Sequence, residues 1–202
     1  KPDQEAVPSR QFDISKIDFE LLSREFAHTR RKNLLLRDLD ELVNQQLAKM
    51  LFANPQRIDY YDRYQEIIDA YNAEQNRATI EKTFMDLMEL ASSLDTEQQR
   101  YVREGFSSDE ELSVYDLLFS ENLSKQEIET IKKVSVDLLT KIKQQIAKLD
   151  HWTDKQETKA IVDNLIRNTL WQELPNSYDV SDIQTYQKKI YEYVYMRYPE
   201  VA

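Results

Sequence analysis

The residue types that carry most enzyme chemistry are scarce in this sequence. His28 and His151 are its only histidines, and it has no cysteine. A Cys–His catalytic pair, a disulfide and a zinc–thiolate site are therefore excluded. Neither histidine belongs to a His-x-x-x-His or His-Glu pair, and His28 falls at the end of a predicted helix, where a positive charge is favoured. We interpret both histidines as surface or capping residues.

Glycine is equally scarce. A Walker-type phosphate-binding loop needs at least two glycines spaced around four residues, followed by Lys and Ser or Thr. The chain has a single glycine, Gly105. Rossmann and kinase glycine loops are excluded for the same reason. The sequence therefore predicts no catalytic residue and no cofactor-binding residue in this chain.

Carboxylates are abundant, but their spacing does not predict a metal site. Asp86 and Glu89 share a predicted helix face, as do Asp59, Asp62 and Glu66. Metal sites in the core of helical bundles add a Glu-x-x-His motif on two helices, and this sequence has that spacing only once, at Glu25 and His28. We interpret the carboxylates as solvated helix faces and predict no metal ligand.

A basic cluster near residue 30 is the clearest candidate for an anion contact. It consists of Arg24, Arg30, Arg31 and Lys32. These side chains could bind phosphate or an acidic partner. The alternative, which we favour, is that they complement the negative end of the helix that precedes them.

Residues 152–198 hold both tryptophans and half of the tyrosines, and because aromatic side chains bury the most area, the packing of the C-terminal half is predicted to centre there. The final predicted helix has a core stripe flanked by tyrosines, so its apolar arc is wider than the usual stripe. Tyrosine and arginine are enriched at interface hot spots, which makes Tyr191, Tyr195 and Arg197 the candidate partner contact. The competing interpretation is intramolecular packing, with each hydroxyl reaching water.

Length and charge limit the protein classes that fit. The chain has 202 residues and a net charge of -10, which fits one domain or two small ones. The acidity argues against a nucleic-acid contact over the whole surface but permits a local basic patch. No apolar run approaches the ~20 residues of a membrane span, and no signal-peptide pattern is seen. With the lack of cysteine, these features suit the cytoplasm.

Apolar periodicity predicts an all-α fold, a multi-helix bundle of about eight or nine helices with no sheet. The longer helices are predicted at 18–29, 34–53, 59–73, 79–93, 125–149, 154–173 and 182–198, with short ones after residues 96 and 108. Residues 1–16 are predicted to be a mobile linker at the domain edge. Residues 17–202 would form the helical domain, as one lobe or as two, 17–104 and 107–202.

Helix starts are predicted from capping boxes, in which Ser or Thr precedes Glu or Gln by three residues. The candidate pairs are Thr96/Gln99, Ser108/Glu111, Ser124/Glu127, Thr153/Gln156 and Ser181/Gln184. Gly105 fits the left-handed residue that ends the short helix after Thr96.

Three groups of segments resemble one known family. They are IDFELLSREF at 17–26, NPQRIDYYDRYQEIIDAYN at 54–72, and a set comprising LSVYDLLF at 112–119, IRNTLW at 166–171, LPNSY at 174–178 and YEYVY at 191–195. Their order resembles the C-terminal part of the restriction (R) subunit of type I restriction-modification enzymes. The resemblance covers most of the chain after residue 16, and its motifs are packing patterns rather than catalytic signatures.

The resemblance implies a role in a larger enzyme. The full subunit of that family is an ATP-dependent DNA-translocating endonuclease, with ATP and Mg expected on other domains. Its C-terminal part docks the subunit onto the methyltransferase and specificity subunits, in the bacterial cytoplasm. We therefore expect a non-catalytic assembly domain with those subunits as partners and no membrane contact. The alternative is a domain that guides DNA through the basic cluster near residue 30.

Overall fold

The computed structural model describes residues 14–199, which form two compact units. Within that range unit 1 contains residues 14–49 and 58–98, and unit 2 contains residues 50–57 and 99–199. The α-helices in chain order are α1 Phe19–His28, α2 Lys32–Ala53, α3 Ile58–Ala73, α4 Arg77–Gln98, α5 Arg100–Arg103, α6 Asp109–Leu118, α7 Lys125–Ile146, α8 Gln156–Glu173 and α9 Val180–Arg197. Residues 14–199 contain no strand, so the predicted all-α class is confirmed.

Two predicted boundaries can be compared with these units. The division between units falls at residues 98 and 99, and residues 50–57 join the second unit, whereas the two-lobe alternative placed the boundary near 105. Most of the linker predicted at 1–16 lies outside the described residues. At its end, Ile14–Lys16 forms a 3-10 turn in which the Ile14 side chain is buried.

Two of the predicted helix starts use the predicted serine as N-cap. The Glu127 amide donates to Ser124 Oγ at 3.3 Å, and the Ser124 amide donates to Glu127 Oε2 at 2.8 Å, which completes a capping box. Ser108 likewise accepts from the Glu111 amide at 3.3 Å. The Glu111 carboxylate, however, accepts from the amide of Ser107, one residue earlier, so that box is incomplete.

The other three predicted capping boxes are wrong. Thr96 lies inside α4 and its hydroxyl donates to the Ser92 carbonyl at 3.1 Å, because α4 continues to Gln98, with buried residues on both sides of Thr96 at Leu94 and Glu97. Gln156 is the first residue of α8, and Lys155 at the N-cap makes no side-chain cap.

The third error lies at the start of α9. Asp179 is its N-cap, accepting from the Asp182 amide at 2.8 Å, while the Asp179 amide donates to Asp182 Oδ2 at 3.1 Å. Ser181 is therefore inside the helix. Asp179 and Asp182 have the same three-residue spacing as the predicted pair, and carboxylates add a favourable interaction with the positive end of the helix.

Gly105 adopts the predicted left-handed conformation, with φ of 84°. It follows α5, and the next amide, of Phe106, donates to the Tyr101 carbonyl at 2.8 Å. This closes the helix C-terminus with a pattern that needs positive φ.

Unit 1 is centred on aromatic and aliphatic side chains of α1 to α4. The rings of Phe26 and Phe84 stack with centroids 3.6 Å apart and an interplanar angle of 6°. The Tyr64 hydroxyl donates to Asp40 Oδ1 at 2.7 Å, so this buried polar group is satisfied. The remaining buried apolar side chains are Leu36, Leu39, Leu42, Val43, Leu47, Ile67, Leu87, Leu90, Ala91 and Leu94.

Unit 2 has one continuous core, to which α6, α7, α8 and α9 contribute. In α7 the apolar stripe predicted from the sequence, which runs from Ile128 to Leu149, is buried from Ile131 to Ile146. In α8 the predicted stripe is Ile161, Leu165, Ile166 and Leu170, but Val162 is fully buried and Ile161 is 43% exposed. The tryptophans also separate: Trp152 is 1% exposed and Trp171 is 49% exposed. The packing of unit 2 therefore includes Trp152, whereas Trp171 lies at the surface.

A buried ion pair joins the 3-10 turn Pro55–Arg57 to α6. Arg57 Nη1 lies 2.9 Å from Asp109 Oδ2, and Arg57 Nη2 lies 2.5 Å from Asp109 Oδ1. The Arg57 side chain is only 3% exposed. A buried cation is tolerated when it is paired and hydrogen-bonded, so this bidentate contact allows the turn to lie inside unit 2.

Two further side chains of α6 bind the same segment. Asp116 Oδ2 accepts from the Asn54 amide group at 2.7 Å, and the Asp116 carboxylate also receives the Arg100 guanidinium. The Ser113 hydroxyl makes a 2.9 Å hydrogen bond to the Ala53 carbonyl. Because Asp109, Ser113 and Asp116 follow one another at spacings of four and three, they share one face of α6. This polar face holds residues 53–57 in place.

We expect Arg57→Ala to lower the unfolding free energy of unit 2 by roughly 3 kcal/mol, because it leaves Asp109 partly buried without its partner. Urea unfolding followed by tryptophan fluorescence measures this selectively, since both tryptophans lie in unit 2. Arg167→Ala, at an exposed position of α8, is the control and should cost less than about 0.5 kcal/mol. Equal losses in the two variants would show that the Arg57 contact does not stabilise the fold.

Candidate partner-binding surfaces

Helix α9 is buried along one broad face. Ile183, Ile190 and Val194 are almost completely buried, and Tyr193 is 5% exposed. The predicted core stripe of α9 therefore holds at these positions and is widened by Tyr193. The side chains that flank this face decide which part of α9 can meet a partner.

Tyr191 and Tyr195 lie together on one side of α9 against Trp152. Each ring meets the indole edge-on, with centroids 6.1 and 5.7 Å away and interplanar angles of 88° and 82°. The indole N–H donates to the Tyr198 carbonyl at 2.7 Å. Burial raises the pKa of the Tyr191 hydroxyl. These contacts favour the packing interpretation for Tyr191, while Tyr195 keeps 38% of its surface exposed.

Arg197 is not brought together with these tyrosines. Its guanidinium lies over the Phe52 ring, 4.7 Å from the ring centroid, while Tyr191 and Tyr195 contact Trp152. Six residues after Tyr191, at 100° per residue, Arg197 points to a different side of the helix. The three residues predicted as one patch therefore lie on two separate sides of α9.

The side of α9 that carries Arg197 forms one wall of a groove within unit 2. We call it the Met196 groove, a cavity of about 390 Å³. It is lined by Leu51, Phe52, Pro55, Gln56, Leu117, Lys189, Glu192, Tyr193, Met196 and Arg197. Met196 is 68% exposed and Phe52 is 56% exposed. Exposed apolar side chains with a polar rim are typical of protein-interaction sites.

Sequence reasoning missed Met196 and Phe52 because neither belongs to the core stripe of its helix. Both are large apolar residues off that stripe, on helices whose core positions are already assigned. A large apolar side chain outside the core stripe of its helix was therefore the sequence signal that could have identified these two residues. It could not show that residues 144 positions apart line one groove, because only the anchored 53–57 segment brings Phe52 to α9.

Polar and charged side chains join the start of α6 to the ends of α7 and α9. Burial opposes ionisation of Glu110, but the neighbouring cations Lys143 and Arg197 outweigh it and lower the pKa of that carboxyl. The Lys143 ammonium also lies 5.3 Å from the centroid of the Tyr198 ring. Burial raises the pKa of the Tyr198 hydroxyl, and the neighbouring Tyr193 and Glu110 add to this effect. These contacts fix the C-terminal turn of α9, next to Met196 and Arg197.

In unit 1 the four residues of the predicted basic cluster have different surroundings. Arg24 is exposed and pairs with Glu20 one turn earlier, at 3.5 Å. Lys32 lies 3.3 Å from Glu81 and 4.4 Å from the centroid of the Phe26 ring. Arg30 and Arg31 are exposed. Arg24 therefore lies apart from the rest of the cluster, and Lys32 is part of the packing of unit 1.

The remaining basic residues line an open depression of about 620 Å³, which we call the arginine depression. It is lined by Thr29, Arg30, Arg31, Lys32, Asn33, Leu34 and Arg77. Arg77 comes from the start of α4 and was not part of the predicted cluster. Arg77 has no local sequence signal that could have added it to the cluster, because only the packing of unit 1 brings it to residues 30–32.

The histidines occupy the predicted kinds of position. His28 is the last residue of α1, and its Nδ1 lies 2.8 Å from the Arg24 carbonyl. His151 is exposed, with a φ of 46° and Nε2 3.5 Å from Asp150. Within residues 14–199 no group of three or more His, Cys, Asp or Glu side chains could hold a metal ion. None of the helices described there has the length and hydropathy to cross a membrane.

The fold and these surfaces define a two-unit helical domain whose candidate sites are open surfaces. Residues 5–198 match the family described as "Type I restriction enzyme HindI endonuclease subunit-like, C-terminal". The chain belongs to this family, the C-terminal domain of a type I restriction endonuclease subunit, as the resemblance of its sequence motifs predicted. No curated protein and no solved structure matches the chain.

We expect Tyr191→Ala to lower the unfolding free energy of unit 2 by roughly 2 kcal/mol, since it removes a half-buried ring and its edge-on contact with Trp152. Tyr191→Phe keeps the ring and should cost less than about 0.5 kcal/mol. Urea unfolding followed by tryptophan fluorescence compares the two. A Tyr191→Ala variant as stable as the parent would contradict the packing role and restore Tyr191 as a free partner contact.

Proposed function

We propose that this chain is a non-catalytic docking domain, which attaches the type I restriction endonuclease subunit to its methyltransferase and specificity subunits. Membership of the family supports the endonuclease part of the proposal. The docking role and the partners are those that the resemblance implies. A docking domain holds the motor of such an enzyme on a fixed point, so that translocation moves the DNA instead of the motor.

The observation that carries the proposal is the exposure of Met196 and Phe52 around the Met196 groove. An exposed methionine adapts its shape to a partner surface, because its side chain is unbranched and polarizable. The Phe52 ring is already covered on one face by Arg197. A ring and a guanidinium held in contact lose little further freedom on binding, which favours affinity.

The rim of the groove supplies specificity. Lys189, Glu192 and Arg197 are charged side chains around an apolar centre. This arrangement matches the general anatomy of protein interfaces, which have an apolar core and a polar rim. Tyr195, exposed on another side of α9, stays a predicted partner contact that is separate from the groove.

Helix α9 is held firmly enough to present these residues. Its first turn is closed by the Asp179–Asp182 capping box. At its end, the Tyr198 carbonyl accepts from the Trp152 indole N–H, and the Tyr198 ring lies beside Lys143 of α7. A preformed surface of this kind binds without first ordering itself.

We expect Met196→Asp to weaken binding to the cognate methyltransferase–specificity complex by about 10-fold or more, because it places a charge in the apolar centre of the interface. Light scattering after gel filtration, over a concentration series, measures the association. Met85→Asp is the matched control. Met85 is likewise an exposed methionine on a helix, with 56% of its surface exposed, but it belongs to unit 1 and does not line the groove. Its association should equal that of the parent chain.

Two outcomes would contradict the proposal. If the parent chain does not associate with the complex, the docking role fails for this domain. If it associates and Met196→Asp binds as well as Met85→Asp, docking uses another surface, and Tyr195→Ala tests the remaining predicted contact. Far-UV circular dichroism of each variant verifies that the helices are retained.

A further inference from the structure

The arginine depression is a strongly positive site on an acidic protein. Arg30, Arg31, Lys32 and Arg77 line it, whereas the chain as a whole carries a net charge of -10. The carboxylate in contact with these cations is Glu81, which lies 3.3 Å from Lys32 and 3.2 Å from Arg77. Four cations against one carboxylate leave a local positive excess, so the depression attracts anions that the rest of the surface repels.

We propose that the arginine depression binds the phosphate backbone of duplex DNA, a role that goes beyond docking to protein subunits. The site would contact phosphates rather than bases, since it is an open depression bordered by arginines. Binding would therefore be independent of sequence, because phosphate contacts fix position and carry no sequence information directly. The following observations support this assignment.

The cations divide into a structural one and exposed ones. The Lys32 side chain is 20% exposed, packs over Phe26 and pairs with Glu81. Hydrogen bonds from Arg77 and then Lys32 lower the pKa of Glu81, so this carboxylate remains charged and partly neutralises the two residues that hold it. Lys32 and Glu81 therefore shape the site and are not its main ligands.

Arg30 and Arg31 are the exposed cations. Both side chains are exposed, and neither forms an ion pair with any residue between 14 and 199. Their backbone is nevertheless ordered: the Arg31 amide donates to Thr29 Oγ1 at 3.1 Å, and the Arg31 carbonyl accepts from the Leu34 and Leu35 amides. Arg77 is 84% exposed, and its pair with Glu81 spans one helical turn. Such exposed pairs are weak, so Arg77 can turn to a phosphate.

The helix termini at the depression point to an anion independently. The lining residues Lys32 to Leu34 are the first turn of α2, and Arg77 is the first residue of α4. Neither helix has an acidic residue in its first turn. Every other helix of ten or more residues in the range 14–199 has at least one. The positive ends of two helices are thus left uncompensated by acidic side chains where the arginines converge, which favours a bound anion.

The chemistry and number of the arginines favour phosphates among the candidate anions. A planar guanidinium binds phosphate through two parallel N–H donors, and it does so without the strong hydration of a lysine ammonium. An acidic protein surface would also attract these charges. A row of phosphates, however, offers several evenly spaced anions to three exposed arginines that border one open depression.

The test compares the removal of three positive charges from the arginine depression with the removal of three positive charges elsewhere on the chain. The full chain is titrated into a short fluorescent DNA duplex, and binding is followed by anisotropy over a series of salt concentrations. The site variant is Arg30→Gln, Arg31→Gln and Arg77→Gln combined, with Lys32 left intact because it packs in unit 1. The control combines Lys49→Gln, Lys133→Gln and Arg167→Gln, which removes the same charge from exposed positions outside the depression.

We expect the parent chain to bind the duplex at low salt with a steep loss of affinity as salt rises. The site variant should bind about 10-fold or more weakly and lose roughly two to three units of the slope of log affinity against log salt, about one for each phosphate contact removed. The control should lose less than about 3-fold. The Met196→Asp variant should bind DNA like the parent, which separates this site from the proposed docking surface.

Three results would overturn the assignment. Absence of DNA binding even at low salt would exclude a DNA site in this chain. Equal losses in the site variant and the control would show a general effect of net charge. Unchanged DNA binding by the site variant, together with loss of association with the methyltransferase–specificity complex, would make the depression a contact for an acidic protein surface.

Discussion

The burial of one cation is the constraint on which unit 2 depends. The Arg57 side chain is 3% exposed, and a charge so deeply buried must be paired. Asp109 supplies the pair from 52 residues further along the chain, and Ser113 and Asp116 on the same face of α6 bind the residues just before it. Together they fix a segment that carries Phe52 and Pro55, and so they also build the Met196 groove. Stability and the candidate docking surface thus share one set of contacts.

The placement of the carboxylates explains why the domain has two surfaces of different chemistry. Within residues 14–199, acidic residues occupy the first turns of α1, α3, α6, α7, α8 and α9, and Asp109 pairs with the buried Arg57. The starts of α2 and α4 lack this compensation. An apolar groove in unit 2 and a positive depression in unit 1 therefore have different chemistry, and one kind of ligand is not expected to bind both.

Much of the fold follows from apolar periodicity and local rules. The long helices, the Ser124–Glu127 capping box and the left-handed Gly105 were predictable because each depends on residues within one or two turns. The errors have physical causes. In α4, Leu94 and Glu97 are buried on either side of Thr96, so tertiary burial extends the helix past a capping signal. At α9 a competing pair, Asp179 and Asp182, has the same spacing as the predicted one. On α8 adjacent apolar residues left the buried face ambiguous between Ile161 and Val162.

The candidate sites were less predictable, since each joins distant parts of the chain. Arg30, Arg31 and Lys32 were recognisable as a cluster, but Arg77 joins them only through packing within unit 1. Arg197 was predicted as a partner contact together with Tyr191 and Tyr195, but its neighbour in the fold is Phe52 and not the tyrosines. The contacts of Asp109, Ser113 and Asp116 with residues 53–57 were not predicted, because these pairings span more than fifty residues.

Unit 2 is not a continuous piece of chain, because residues 50–57 belong to it although 58–98 intervene. During synthesis, these eight residues leave the ribosome well before α6 exists, so the Arg57 side chain stays solvated until the acidic face of α6 arrives. Closing such a long loop costs only slightly more entropy than closing a shorter one, so the delay affects the order of folding more than the final stability. It also means that cutting the chain between the units would not yield two native halves. The piece beginning at residue 99 would expose Asp109 and Asp116 without residues 54 and 57, and the other piece would carry a cation with no place to bury it.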